Sequence, residues 1–85
     1  MNTEINRIRW KCRRGMREID LLLREFLNND FDKLDKKSLI IFNEILNYDD
    51  QKLYDFIFKN TKLDNLSHEH FISLHLKKFS KLGNF

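Results

Sequence analysis

The sequence of 85 residues contains no proline and only two glycines. Antiparallel sheets reverse direction many times, and their turns depend on glycine, proline and similar residues. The scarcity of these residues argues against an all-β fold and favours short helices packed into one bundle. A chain of this length has room for a single domain, residues 1–85, and is smaller than the α/β scaffolds that commonly carry enzymes.

Cysteine and long apolar runs are also scarce. Cys12 is the one cysteine, which excludes an internal disulfide and a cysteine-based zinc cluster and fits a reducing compartment. The longest apolar run, residues 39–42, is far shorter than the ~20 residues that span a membrane. Residues 1–9 include Glu4 and lack the apolar stretch of a secretion signal. We therefore expect a mature cytoplasmic protein that does not associate with membranes.

Charge is unevenly distributed along the chain, whose formal net charge is +3. Residues 1–17 carry six Lys and Arg side chains against one Glu, whereas residues 18–35 carry six Asp and Glu side chains against two basic ones. A basic segment next to an acidic one is typical of a binding surface, and a solvated polar face is the simpler interpretation.

Apolar residues recur with helical spacing in five segments, which predicts a compact all-α bundle of five short helices. These segments are residues 4–11, residues 16–28, a stretch that begins after Asp35, a stretch capped by Asp49 or Asp50, and a stretch capped by Ser67. The third helix is apolar on two sides, so we expect it to be the central one. The tail from Lys81 should fray. The predicted core includes Leu22, Leu23, Phe26, Leu39, Phe42, Leu46, Leu53, Phe56 and Phe71.

The sequence shows no pattern of residues that would form an active site or hold a metal ion or cofactor. His68 and His70 are two residues apart and point in opposite directions on a helix, and His75 is also off their faces, so we expect surface histidines. Cys12 lies on an apolar stripe and should be a packed thiol. Gly15 and Gly83 are too far apart for a phosphate-binding loop. We expect a protein that is not an enzyme.

The segment between the first two predicted helices is the most informative part of the chain. Gly15 lies where a residue with positive φ would let the chain reverse. Glu18 falls in the first turn of the second helix, where a carboxylate is favoured by the helix dipole. Such a corner can be a simple helix start. It can also be a recognition patch, because arginine and tryptophan are enriched at binding hot spots and this corner collects Trp10, Arg13, Arg14 and Arg17.

Residues 14–18 read RGMRE, an RGxxE motif inside the longer string CRRGMREID. This string resembles the succinate dehydrogenase flavinylation (FAD assembly) factor family, the SdhE-type proteins of bacteria and their mitochondrial counterparts. Trp10 precedes the motif at the family's spacing, and Asp20 closes it. The stretch Tyr48-Asp49-Asp50 resembles the family's Asp-Asp-Pro-Asp-Leu segment, with Gln51 and Lys52 where the family commonly has proline and aspartate.

The resemblance implies an assembly factor without a reaction of its own. Members bind the flavoprotein subunit of succinate dehydrogenase, and in bacteria also that of fumarate reductase, and promote covalent attachment of FAD to a client histidine. The FAD belongs to the client, so we expect this chain to hold no cofactor itself. We also expect it to act as a monomer. The client-binding face would have Arg14, Gly15 and Glu18 at its centre, with Arg13, Arg17, Trp10 and Asp20 around them.

Each central residue then has an expected role. Gly15 would let the client backbone approach closely, and Arg14 would offer a planar fork to client carboxylates or carbonyls. Glu18 would pair with a client cation or orient Arg14.

Two other functions fit parts of the sequence. The basic N-terminal segment could lie along the phosphates of a nucleic acid, although Glu18 and Asp20 would then sit close to the same phosphates, so we expect no nucleic-acid partner. An antitoxin-type regulatory activity has no signature among the residues.

Overall fold

In the computed structural model, residues 2–81 are described, and they form helices joined by short loops, without strands. The helices are α1 (Asn2–Lys11), α2 (Arg17–Asn29), α3 (Lys36–Ile45), α4 (Asp50–Lys59) and α5 (Leu66–Phe71). A single 3-10 turn, Phe31–Lys33, follows α2. After α5 the chain continues as a π-helical turn, Ile72–Leu76, and a 3-10 turn, Lys77–Lys81. The predicted five-helix all-α fold is confirmed. Of the tail predicted to fray from Lys81 onwards, Lys81 ends the last 3-10 turn and residues 82–85 lie outside the described residues.

Phenylalanine rings fill the centre of the bundle. Phe26 packs against Phe42 and Phe71 with ring centroids 4.9 and 6.1 Å apart, and Phe42 stacks on Phe71 at 5.7 Å. Eight of the nine predicted core residues are buried. Leu39 is the exception, because it is only partly buried and lines a groove between α1 and α3.

The most buried helix is α2, not α3, so the prediction of a central third helix is wrong. Four residues of α2 are buried (Ile19, Leu22, Leu23 and Phe26), against two of α3. The reason is placement, since α2 contacts α4 and both turns that follow α5. In α3, Phe42 and Ile45 are buried, Ile41 is only partly buried and Ile40 is 61% exposed.

Side-chain caps begin three of the helices. Asp35 accepts a hydrogen bond from the Ser38 backbone N–H at 2.8 Å, and Asp49 accepts one from Lys52 at 2.8 Å. The cap of α5 is Asn65, which accepts from the His68 N–H at 3.0 Å, so the prediction of Ser67 was two residues late. No helix among the described residues combines the length and the apolar character needed to cross a membrane.

Candidate partner-binding site

The chain turns between α1 and α2 at residues 12–16. The corner consists of this turn and the helix ends on either side of it, from Trp10 to Asp20. Backbone N–H groups of Cys12 and Arg13 donate to the carbonyls of Arg9 and Trp10, at 3.2 and 3.1 Å, which closes the end of α1. Gly15 is exposed, and within the described chain no glycine has a positive φ. The prediction that Gly15 reverses the chain through a positive φ is therefore wrong. The chain turns here without a positive φ at any residue of the turn.

Arg14 points into the protein, and its guanidinium is used by the fold. Nε donates to the carboxylate of Asp50 at 2.7 Å, and Nη1 donates to the carbonyls of Lys11 and Leu46 at 2.9 and 3.1 Å. Nη2 donates to the carbonyl of Tyr48. The side chain is 11% exposed. The expectation that Arg14 offers its fork to a client is corrected: the fork joins the end of α1 to the loop between α3 and α4.

Asp50 completes this internal link. Its second oxygen accepts from the Met16 backbone N–H at 3.0 Å, so one carboxylate holds both the Arg14 side chain and the start of α2. Burial by itself would raise the pKa of Asp50, but the hydrogen bonds from Arg14 and Met16 outweigh it and hold the pKa below its usual value. The two neighbouring aspartates thus have different roles, since Asp49 caps α4 and Asp50 fixes the corner.

Asp20 also faces inwards. One of its oxygens accepts from the Arg14 backbone N–H at 2.9 Å, and the other pairs with Arg24 at 3.0 Å. Asp20 and Asp50 therefore hold Arg14 by its main chain and by its side chain.

The outer half of the corner consists of the other five predicted site residues: Trp10, Arg13, Gly15, Arg17 and Glu18. Trp10 is 70% exposed, and the Arg13 guanidinium lies 5.6 Å from the centre of its ring. Gly15 and Arg17 are exposed and Glu18 is half-buried. Within the described chain, the Glu18 carboxylate makes no hydrogen bond or ion pair, so the alternative that Glu18 orients Arg14 is wrong. Asp50 does so instead.

Sequence reasoning missed two residues that build the corner, Asp50 and Lys11. Asp50 belongs to a segment that carries the family resemblance, but its position at a helix start suggested a cap. The Lys11 ammonium donates to the side-chain oxygens of Asn43 and Asn47, both at 3.1 Å, and joins α1 to α3. No local pattern indicates either contact, because the partners are more than thirty residues apart.

The histidines do not form a shared site. Among the described residues, no group of three His, Cys, Asp or Glu side chains is placed to hold a metal ion. His68 is buried, which corrects the expectation of a surface histidine. Its Nδ1 lies 2.8 Å from the Tyr48 hydroxyl and its Nε2 lies 2.9 Å from the Glu44 carboxylate, so it links α5 to α3 and to the loop that holds Arg14. Cys12 is buried as predicted, and burial raises the pKa of its thiol to about 12.

Comparison with known proteins identifies the family. The family model described as flavinator of succinate dehydrogenase matches residues 6–80, which include the whole corner. The chain belongs to this family. The resemblance that the RGxxE motif carries is thereby confirmed.

Named relatives of this flavinator family agree. The chain is 47% identical over 53 residues to the FAD assembly factor SdhE of Legionella pneumophila (strain Paris), which covers 62% of this chain and 67% of that protein. It is 49% identical over 51 residues to SdhE of Coxiella burnetii, covering 60% and 62% of the two chains. It is 39% identical over 62 residues to SdhE of Vibrio vulnificus (strain YJ016), covering 73% and 72%. No solved structure matches the chain.

Proposed function

We propose that this protein is a FAD assembly factor that binds the flavoprotein subunit of succinate dehydrogenase and promotes covalent attachment of FAD to it. Membership of the flavinator family and the names of the relatives support this proposal. The flavoprotein of fumarate reductase is a second client of the same kind. The flavin chemistry belongs to the client, and this chain contributes no reacting group and holds neither flavin nor metal of its own.

One observation carries the assignment of the binding face: within the described chain, no side chain of the outer half of the corner makes a hydrogen bond or ion pair. A methyl group added at Gly15 would have Asp50 Oδ2 as its nearest neighbour at 3.9 Å, an ordinary contact distance. Gly15 has no positive φ that would require glycine. Glu18 makes no side-chain hydrogen bond or ion pair within the described chain. Residues that the fold could replace at a cost of no more than about 1 kcal/mol are free to serve a partner.

The inner half of the corner consists of Arg14 and Asp20, together with Asp50, which holds Arg14 in place. It explains how such a face acts. Arg14, Asp20 and Asp50 hold the loop from both sides, so Trp10, Gly15 and Glu18 are presented on a fixed backbone. A rigid face can hold client domains so that the flavin and the accepting histidine approach in reactive geometry, and positioning of that kind is worth up to several kcal/mol. Arg14 therefore contributes by positioning the face.

The test uses two variants of the outer half, Gly15→Ala and Glu18→Ala. Gly15→Ala should leave the free energy of unfolding unchanged or raise it by up to about 1 kcal/mol, because alanine restricts the unfolded chain. Glu18→Ala should cost at most about 1 kcal/mol, since the carboxylate only adds a favourable charge to the first turn of α2. Both should nevertheless lose most covalent flavin in the client. In Gly15→Ala the added methyl group would keep the client backbone from approaching closely, and in Glu18→Ala the loss of a hot-spot contact costs about 2 kcal/mol or more, roughly 30-fold in affinity.

The measurement is in-gel flavin fluorescence of the flavoprotein subunit, beside the melting temperature of each variant. Lys37→Ala serves as the control, because Lys37 is exposed on α3, away from the corner. Full flavinylation by both corner variants would contradict the proposed face. A flavoprotein that acquires covalent FAD equally well without the wild-type protein would contradict the proposed function itself.

A further inference from the structure

A small cleft lies beside the corner, between α1 and α2. Its six lining residues are Arg9, Cys12, Arg13, Asp20, Arg24 and Leu27, and its volume is about 340 Å³. Three of them carry guanidinium groups, and two of these, Arg9 and Arg24, lie outside the outer half of the corner. The cleft therefore extends the outer half of the corner along α2.

The cleft is short of hydrogen-bond acceptors. Its single carboxylate, Asp20, already accepts from the Arg14 backbone with one oxygen and from Arg24 with the other. Arg9 and Arg13 lie over the rings of Phe31 and Trp10, at 5.3 and 5.6 Å from the ring centres, and within the described chain neither side chain donates a hydrogen bond. A cation–π contact uses no hydrogen-bond acceptor of the protein, so the N–H groups of both arginines remain available to a ligand.

Cys12 and Leu27 add apolar surface to the cleft. Because burial raises the pKa of the Cys12 thiol to about 12, the thiol stays neutral near pH 7 and does not offset the positive charge. A ligand that fits this cleft would combine an anionic head with a short apolar stem.

We propose that the cleft receives an aspartate or glutamate side chain from an acidic segment of the flavoprotein client. This inference rests on the proposed function and adds Arg9 and Arg24 to the binding face. Arginine forks match carboxylates with two parallel hydrogen bonds, and the carbon stem of an acidic residue would lie on Leu27. The exposed ring of Trp10 beside Arg13 would extend the contact onto the partner's surface.

A polypeptide fits the cleft better than a nucleic acid does. Polynucleotide binding requires a basic stripe that follows successive phosphates. Here the basic residues surround one recess. On α2, Glu18 in the first turn precedes the cleft residues, and Glu25 is next to Arg24. Those carboxylates would repel a phosphate chain along the helix.

The experiment measures the dissociation constant of the full chain for the purified flavoprotein subunit at several NaCl concentrations. The cleft variant is Arg9→Gln/Arg24→Gln, and the control is Arg7→Gln/Lys37→Gln, which removes the same charge from exposed positions outside the cleft. The cleft variant should bind roughly tenfold more weakly, with a shallower dependence on salt. The control should change affinity by less than about twofold.

Two further variants separate charge from folding. Arg9→Gln alone leaves the ion pair between Asp20 and Arg24 intact and should still show part of the loss of affinity for the flavoprotein. Arg9→Lys/Arg24→Lys keeps both charges but loses the two forks, so it should regain the wild-type salt dependence while binding more weakly than the wild type. A lysine variant whose salt dependence is as shallow as that of the glutamine variant would overturn the proposal, since the loss of affinity would then not come from the charges of the cleft.

The remaining outcomes also decide the question. If the wild type binds the flavoprotein and the cleft variant behaves like the control, the inference is wrong and the proposed function stands. If the wild type does not bind the flavoprotein, the proposed function fails. Binding of the wild type to a random 20-base-pair DNA duplex at 150 mM NaCl, lost in the cleft variant, would make the cleft a phosphate site and overturn the proposal.

Discussion

The link between Arg14 and Asp50 leads to a sharp prediction, because the neighbouring Asp49 offers a matched control. Asp50→Asn removes the negative charge that Arg14 meets at 2.7 Å and places an amide where two donors converge. Asp49→Asn makes the same chemical change one residue earlier, where asparagine is as good a helix cap as aspartate. The two variants have equal charge and composition. Any difference between them therefore reports the internal link at the corner.

The expected magnitude follows from the burial of the pair. Breaking a fully buried pair by removing one partner costs about 3–5 kcal/mol, whereas exposed pairs contribute about 0–1 kcal/mol. The side chains of Arg14 and Asp50 are 11% and 24% exposed, which places them between these limits. We expect Asp50→Asn to lower the free energy of unfolding by about 2 kcal/mol. Asp49→Asn should change it by less than about 0.5 kcal/mol.

Thermal and urea unfolding measure this difference. For a domain of this size, about 2 kcal/mol corresponds to a fall in melting temperature of roughly 8–16 °C. The urea midpoint should fall without a change in slope, because the surface exposed on unfolding is the same.

The pH dependence gives an independent check. The pKa of Asp50 in the folded protein is held below that of the unfolded chain, about 3.9, so the link stabilises the fold above that pH. The stabilisation is lost as the pH falls through the lowered folded pKa. The difference in free energy of unfolding between the wild type and Asp50→Asn should thus be largest at pH 7 and become smaller below about pH 4. Equal unfolding of the Asp49 and Asp50 variants at pH 7 would refute this account of the corner.

Three further predictions concern the core, the thiol and bound groups. Leu46→Ala should lower the free energy of unfolding by about 2–5 kcal/mol, since Leu46 is buried. Flavinylation of the client should fall only in proportion to the fraction of unfolded protein. A variant that is fully folded and no longer supports flavinylation would contradict this. Cys12, with its pKa raised to about 12, should react with a thiol reagent at pH 8 far more slowly in buffer than in urea, and equal rates would show an accessible thiol. The purified protein should carry neither stoichiometric zinc by elemental analysis nor a flavin absorbance band after gel filtration.

The sequence by itself determined the helical class, most of the core and the family. Apolar periodicity marks the buried face of each helix, because every helix must bury one stripe whatever its neighbours are. This is why Leu22, Phe26 and Phe42 were identified correctly. Two helix caps, Asp35 and Asp49, were also readable, since a cap acts on a backbone group three residues away.

Periodicity was insufficient where two helices compete for the centre. The segment of α3 is apolar on two sides, and the sequence therefore favoured it as the central helix. The tertiary structure placed α2 there instead, in contact with α4 and the C-terminal turns, and left Ile40 exposed. An apolar stripe indicates that a helix face can be buried, but only the packing of all the helices decides which faces are buried.

The roles within the corner were decided by the tertiary structure. The sequence located Arg14, Gly15 and Glu18 but could not divide them into an inner and an outer half. That division depends on Asp50 and the carbonyls of Leu46 and Tyr48, which lie 32 to 36 residues from Arg14. Contacts over such separations leave no periodic trace in the chain, because they depend on how whole helices are placed. His68 became buried for the same reason, through Tyr48 and Glu44 on distant segments.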